Sequence, residues 1–188
     1  MTDFQVARRA MIDSQLRPQG VTNTAVLAAM AGVPREDHVP ESARAFAYFD
    51  RSIPLGDGRA MMPPAAIGRL LDALDPKPGE RALVVAGAGG YAAALLEAIG
   101  CSADSIDAGA SPSGSYDLIL VDGAIEELPA AFAGALAPHG RLGTALLDRG
   151  VARLAIATVA GGALAFRTFA DADVAPLAAY QRPRAFTF

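Results

Sequence analysis

Between Arg81 and Tyr91 the chain reads RALVVAGAGGY, and this run restricts the fold more than any other. Ala82 to Val85 form a short apolar run of the kind that makes a buried strand. Gly87, Gly89 and Gly90 then supply a tight turn, and Tyr91 to Ile99 has the length and residue types of a helix. Strand, glycine turn and helix in that order form the unit that holds nucleotide-like ligands at the strand ends of open α/β sheets. Gly87, Gly89, Gly90 and Tyr91 are therefore the first candidate cofactor-binding residues.

The rest of the chain extends this unit in both directions. YDLILV at Tyr116 to Val121 reads as a second buried strand, ended by Asp122-Gly123. Glu126 to Ala137 is expected to be a helix, with Glu126 and Glu127 in its first turn and Pro138-His139-Gly140 as its stop. Leu142 to Leu147 is a further strand. Residues 151–159 and 163–169 alternate around Gly161-Gly162 as a hairpin, and the tail from Arg182 to Phe188 could add an edge strand. Alternating strands and helices imply a doubly wound, mostly parallel sheet of the methyltransferase-like kind, with an antiparallel C-terminal hairpin.

Upstream, the periodicity changes. Residues 3–16 carry apolar positions at helical spacing, with Thr2 or Asp3 as cap. Asn23 or Thr24 opens a second helix over Ala25 to Ala31, and a third short helix follows Pro40. Together they make an N-terminal helical cap. Pro63 or Pro64 suits the first turn of a helix running through Leu74. The expected division is a cap and substrate-side loop over residues 1–75, then an α/β core over residues 76–188, in one compact domain.

Charge and composition exclude some classes of function. Hydrophobic residues make up 52% of the chain and the net charge is −4. No Lys/Arg run exceeds two residues, which argues against nucleic acid as a partner. The longest apolar stretch is broken by Glu97 and rich in Gly and Ala, so it reads as strand plus helix and not as a membrane span. The N-terminal run lacks the apolar core of a signal peptide. With one cysteine, Cys101, no internal disulfide can form. A cytoplasmic location is expected. Neither histidine, His38 or His139, sits in a catalytic or metal-binding signature, so no metal site is expected.

Several runs together resemble the protein-L-isoaspartate O-methyltransferase family. They are RRAMIDSQL from Arg8, LAAMAGVPREDHVPE from Leu27, AYFD from Ala47, IPLGDGRAMMPP from Ile53, PGERALVVAGAGGY from Pro78, YDLILVDGAIEELP from Tyr116 and GRL from Gly140. The resemblance implies an enzyme that uses S-adenosylmethionine to methylate the abnormal carboxyl group of isoaspartyl residues in damaged proteins. Its partners would be isoaspartyl-containing proteins or peptides. The nucleophile, a carboxylate, is already ionised at neutral pH, so positioning matters more than a strong base.

The chain departs from the family pattern at three places. The family's serine, which faces the substrate, is replaced by Met62, so no catalytic residue is assigned with it. The acidic strand position before the glycine turn is Val84, and Ala88 stands within the turn, where it would crowd the cofactor. Only Cys101 to Ser115 separates the core helix from the YDLILV strand. A crossover connection alone needs about a dozen residues, so the second and third strand region is shortened. Ser105 to Ala108 is the expected remnant strand, with Asp107 as the candidate ribose-binding acid. Asp122, at a strand end, is the last cofactor-site candidate. Two readings stay open: a working methyltransferase, or a non-catalytic relative that keeps the fold as a binding or interaction module. Under the second, apolar surface left by the shortening would call for a cover such as a homodimer partner.

Overall fold

The computed structural model describes residues 3–56 and 58–182. Its centre is a six-stranded sheet in the order β4-β3-β5-β6-β7-β8. The strands are β3 (Arg81–Val85), β4 (Ser102–Ile106), β5 (Tyr116–Ile125), β6 (Leu136–Asp148), β7 (Val151–Ala160) and β8 (Ala163–Asp171). The first four are parallel, and β7 and β8 close the far side as an antiparallel hairpin. A small separate hairpin, β1 (Ile53–Gly56) with β2 (Arg59–Met61), lies before the core.

Strand periodicity divides the core in two. Ala82 and Val84 of β3 and Leu118 and Leu120 of β5 point to one face, and Leu83, Val85, Ile119 and Val121 point to the other. The first face packs the helical layer: α2 (Thr24–Gly32), α3 (Pro64–Leu74) and α4 (Tyr91–Ile99), with Met30, Ile67, Leu70, Leu95 and Leu96 buried. The second face is covered by much less, chiefly Phe132 of the four-residue α5 (Ala131–Gly134) and Tyr180.

The helical cap forms as the sequence predicts. Asp3 accepts from the amides of Gln5 and Val6 and so starts α1 (Phe4–Met11), which widens into a π-helical turn over Ile12–Leu16. Asn23 caps α2 in the same way, through Ala25 and Val26. The third helical segment is a 3-10 helix, Glu41–Phe46. Pro64 opens α3.

Two expectations about the middle of the chain are corrected. The run from Glu126 to Ala137 is not a helix; only Ala131–Gly134 is helical. The amides of Glu126 and Glu127, which a helix would leave free in its first turn, both donate to the carbonyl of Tyr180, at 3.0 and 3.2 Å. Pro129 also disfavours helical geometry at Leu128. Nor does Asp122-Gly123 end the strand. β5 continues to Ile125 because Ala124 gains a second edge partner: its amide donates to Ala175 and its carbonyl accepts from Leu177, at 2.9 and 2.8 Å. Pro138-His139-Gly140 falls inside β6, at a register shift where His139 has φ 68°. The expected tail strand lies, from residue 183 on, outside the described residues.

The connection between α4 and β5 is short and holds one strand. β4 is an edge strand beside β3, in register from Arg81↔Ser102 to Val85↔Ile106. Beyond it the chain makes no helix and no further strand. It returns directly over residues 107–115 to β5.

Candidate cofactor crevice at the strand ends

The parallel strands deliver their C-terminal ends to one rim, where ligands sit in open α/β sheets. A cleft of about 340 Å³ opens there, lined by Arg59, Ala86, Gly87, Ser105, Ile106, Asp107, Ala108, Ala110 and Leu177. Of the residues singled out from the sequence, Gly87 and Asp107 come together at this cleft. Asp107 stands at the end of β4 with its carboxylate exposed. Gly87 sits where β3 turns towards α4, and a Cβ there would lie 2.8 Å from Val84 Cγ1. Val84 thus packs beneath the turn.

Gly89 and Gly90 serve a different contact. Both have positive φ, 66° and 73°. A Cβ on Gly89 would stand 2.1 Å from the carbonyl oxygen of His38. His38 Nδ1 also lies 2.7 Å from the Gly89 carbonyl oxygen. The second half of the turn is therefore committed to the 3-10 helix Arg35–His38 of the cap. The expected crowding by Ala88 falls on a side chain outside the described set.

Tyr91 and Asp122 are buried beneath the rim and do not line the cleft. Tyr91 packs edge-on to His38, with ring centroids 5.4 Å apart, and lies under the guanidinium of Arg35, 5.0 Å from its centroid. Arg35 is fully buried. It donates to the carbonyls of Ala47, at 2.7 Å, and Met62. Burial pulls its pKa down, while the neighbouring Tyr91 hydroxyl and Asp122 oppose that shift. Burial likewise pushes the Tyr91 hydroxyl up, and Arg35 opposes it. One side chain thereby ties together the cap, the loop carrying Met62 and the start of α4.

Met61 and Met62 are themselves core residues, 1% and 2% exposed. The cap is locked by a second polar cluster. Tyr48 donates to Glu36 and accepts from Arg8 Nε at 2.8 Å, and Arg8 pairs with Glu36 at 3.0 Å. Burial and the bond to Glu36 push the Tyr48 hydroxyl up to about 12. Cys101 is buried, and burial raises its thiol pKa, which suits packing and not nucleophilic attack.

Residues 7–107 match the family model described as protein-L-isoaspartate(D-aspartate) O-methyltransferase. This chain belongs to the protein-L-isoaspartate O-methyltransferase family. Its match ends at Asp107, where the chain turns back from β4. A protein-L-isoaspartate O-methyltransferase of Roseiflexus sp. (strain RS-1) is 34% identical over 169 residues, covering 74% of this chain and 77% of the relative. One from Methylorubrum extorquens (strain PA1) is 32% identical over 168 residues, covering 74% of each. Among solved structures, a Plasmodium falciparum protein described as such a methyltransferase, in complex with S-adenosyl-L-homocysteine, superposes with a TM-score of 0.72. It is 16% identical and the match covers 94% of this chain and 99% of that one, so the likeness is one of fold.

Sequence reasoning missed four residues that shape the site. Arg35 lies within the family-like run VPREDH, but a buried arginine leaves no periodic signal. Arg59 sits on β2, far along the chain from the cleft it lines. Leu177 and Tyr180 belong to a stretch with no recognisable pattern.

Proposed function

We propose that this chain transfers a methyl group from S-adenosylmethionine to the free carboxylate of isoaspartyl residues in proteins or peptides. The observation that carries the reading is the meeting of Gly87 and Asp107 at one cleft at the parallel strand ends, in a chain that belongs to this family.

The residues fit the nucleoside part of the cofactor. The cleft volume lies within the range of small-molecule sites, roughly 300–1,000 Å³. Asp107 offers a carboxylate that can accept from vicinal sugar hydroxyls, as acidic residues after a glycine turn do in related open sheets. Gly87 lets the backbone come close. Ile106 and Leu177 add apolar surface suited to a flat base. When bound, the cofactor supplies a methyl group activated by a sulfonium centre.

The chain's own contribution is orientation. No general base is required, because the accepting carboxylate is ionised at neutral pH. Arg59 brings a guanidinium to the same cleft, a group whose geometry favours carboxylates. Arg35 and Tyr91 hold the Met62 loop and the α4 start in fixed relation, so that substrate side and cofactor side keep their spacing.

The test is methyl transfer from labelled S-adenosylmethionine to an isoaspartyl peptide, with the normal aspartyl peptide as control. Incorporation into the isoaspartyl peptide alone is expected. Binding of S-adenosylhomocysteine without transfer would overturn the catalytic reading and favour a binding module.

A further inference from the structure

The shortened region leaves the Asp107 turn without a helix and strand to back it. The segment that follows β8 packs against that turn. It bonds to the end of β5 through Ala124 and to Glu126 and Glu127 through the Tyr180 carbonyl. It then reaches the Asp107 turn directly. The Tyr180 hydroxyl accepts a hydrogen bond from the Gly109 amide at 3.0 Å, and a Cβ on Gly109 would be 3.4 Å from Ala179 Cβ. Tyr180 is 3% exposed, its ring packed edge-on against Phe132 at 6.0 Å. The phenol is therefore anchored at its ring and committed at its oxygen.

The same segment also forms part of the cleft. Leu177 lines it together with Asp107 and Ala110. Its side chain lies over the end of β5 in the space above Gly123, where a Cβ would stand 2.4 Å from Leu177 Cγ. Glycine at 123 is what allows Leu177 to seat there.

We propose that Tyr180 is a positioning residue for the nucleoside side of the cleft: through the Gly109 amide it fixes the turn that carries Asp107, while Leu177 of the same segment closes the cleft. The segment from Val174 to Gln181 thus supplies a wall of the cleft beside the Asp107 turn. The inference rests on the cofactor reading above. It adds that the wall comes from the chain's own C-terminal segment, where the sequence alone had suggested a second copy.

Titration of S-adenosylhomocysteine into the wild type, Tyr180→Phe, Gly123→Ala and Asp107→Asn tests it. Tyr180→Phe keeps the ring on Phe132 and removes only the acceptor. It is expected to weaken binding about five- to tenfold, as loss of one hydrogen bond does, and to speed amide exchange over residues 107–114. Gly123→Ala, by unseating Leu177, is expected to weaken binding at least as much. Because Tyr180 acts through the Asp107 turn, the double variant Tyr180→Phe/Asp107→Asn is expected to bind no worse than Asp107→Asn alone. Wild-type affinity in Tyr180→Phe, or additive losses in the double variant, would overturn the inference while leaving the cofactor reading in place. No binding by the wild type would overturn both, and exchange over residues 107–114 would still report whether Tyr180 holds the turn.

Discussion

Arg35 stacks its guanidinium on the ring of Tyr91 at 5.0 Å, with neither side chain in contact with solvent. Removing Arg35 would strand the buried carbonyls of Ala47 and Met62 and take away its packing on the Tyr91 ring. Each buried acceptor left without its donor costs about 1–3 kcal/mol. Arg35→Ala is expected to lose stability on that scale, read from urea unfolding. Arg35→Lys is expected to recover only part of it, because an ammonium cannot span both carbonyls and the ring in one plane.

Glu80 and Arg141 form a two-pronged pair, with Nη1 to Oε1 at 2.7 Å and Nη2 to Oε2 at 2.9 Å. The bond from Arg141 holds the Glu80 carboxyl below its ordinary value of 4.5, against some burial that works the other way. A carboxylate with a depressed folded pKa adds stability above its unfolded pKa and loses it as pH falls through the folded one. The contribution is therefore complete above about pH 4.5 and disappears on further acidification. Glu80→Gln is expected to cost roughly 1.5–3 kcal/mol at pH 7 and to flatten the acid side of the stability profile. Urea midpoints measured from pH 7 down to pH 3 check both. An equally steep acid limb in Glu80→Gln would contradict the assignment.

Much of this architecture was legible in the sequence because its signals are local. Asp3 and Asn23 cap helices through their own neighbours, and the continuous apolar run Ala82 to Val85 marks a strand buried on both faces. The shortened connection was legible by length alone. Asp107 followed from it, since a strand ending near Ile106 leaves an acid at the rim. What stayed hidden depends on contacts between distant segments. Glu126 and Glu127 sit in a helix-compatible stretch until the Tyr180 carbonyl, more than fifty residues on, takes their amides. Gly89 reads as a ligand-facing glycine until the His38 carbonyl occupies its open side. Propensity sets the first expectation, and the tertiary hydrogen bond overrides it.

That contact makes Gly89 testable by itself. Alanine there would have to hold φ near 66° and displace a main-chain carbonyl from 2.1 Å. The left-handed conformation alone costs roughly 1–2 kcal/mol, and a backbone atom cannot swing aside as a side-chain tip does. Gly89→Ala is expected to lower stability by about 2 kcal/mol or more. It is also expected to change the exchange of amides over residues 35–38. A variant as stable as the wild type would show that the turn is not built around His38.

From sequence, Met62 is the residue expected at the family's serine position, and its burial decides what a serine there would do. The side chain is 2% exposed and packs with Met61 and Ile67 in the helical-face core, while its carbonyl accepts from Arg35. Met62→Ser would empty most of that volume and place a hydroxyl among apolar neighbours. Truncating a buried methionine costs about 2–5 kcal/mol, and an unmatched buried hydroxyl adds to it. The expected outcome is a markedly lower unfolding temperature, with no gain in methyl transfer per folded molecule, because the new hydroxyl points into the core and not into the cleft. Calorimetry and the isoaspartyl-peptide assay on the same preparation separate the two effects. If transfer rises severalfold, the loop must rearrange to present residue 62 to substrate, and the core position seen here is not the one that works.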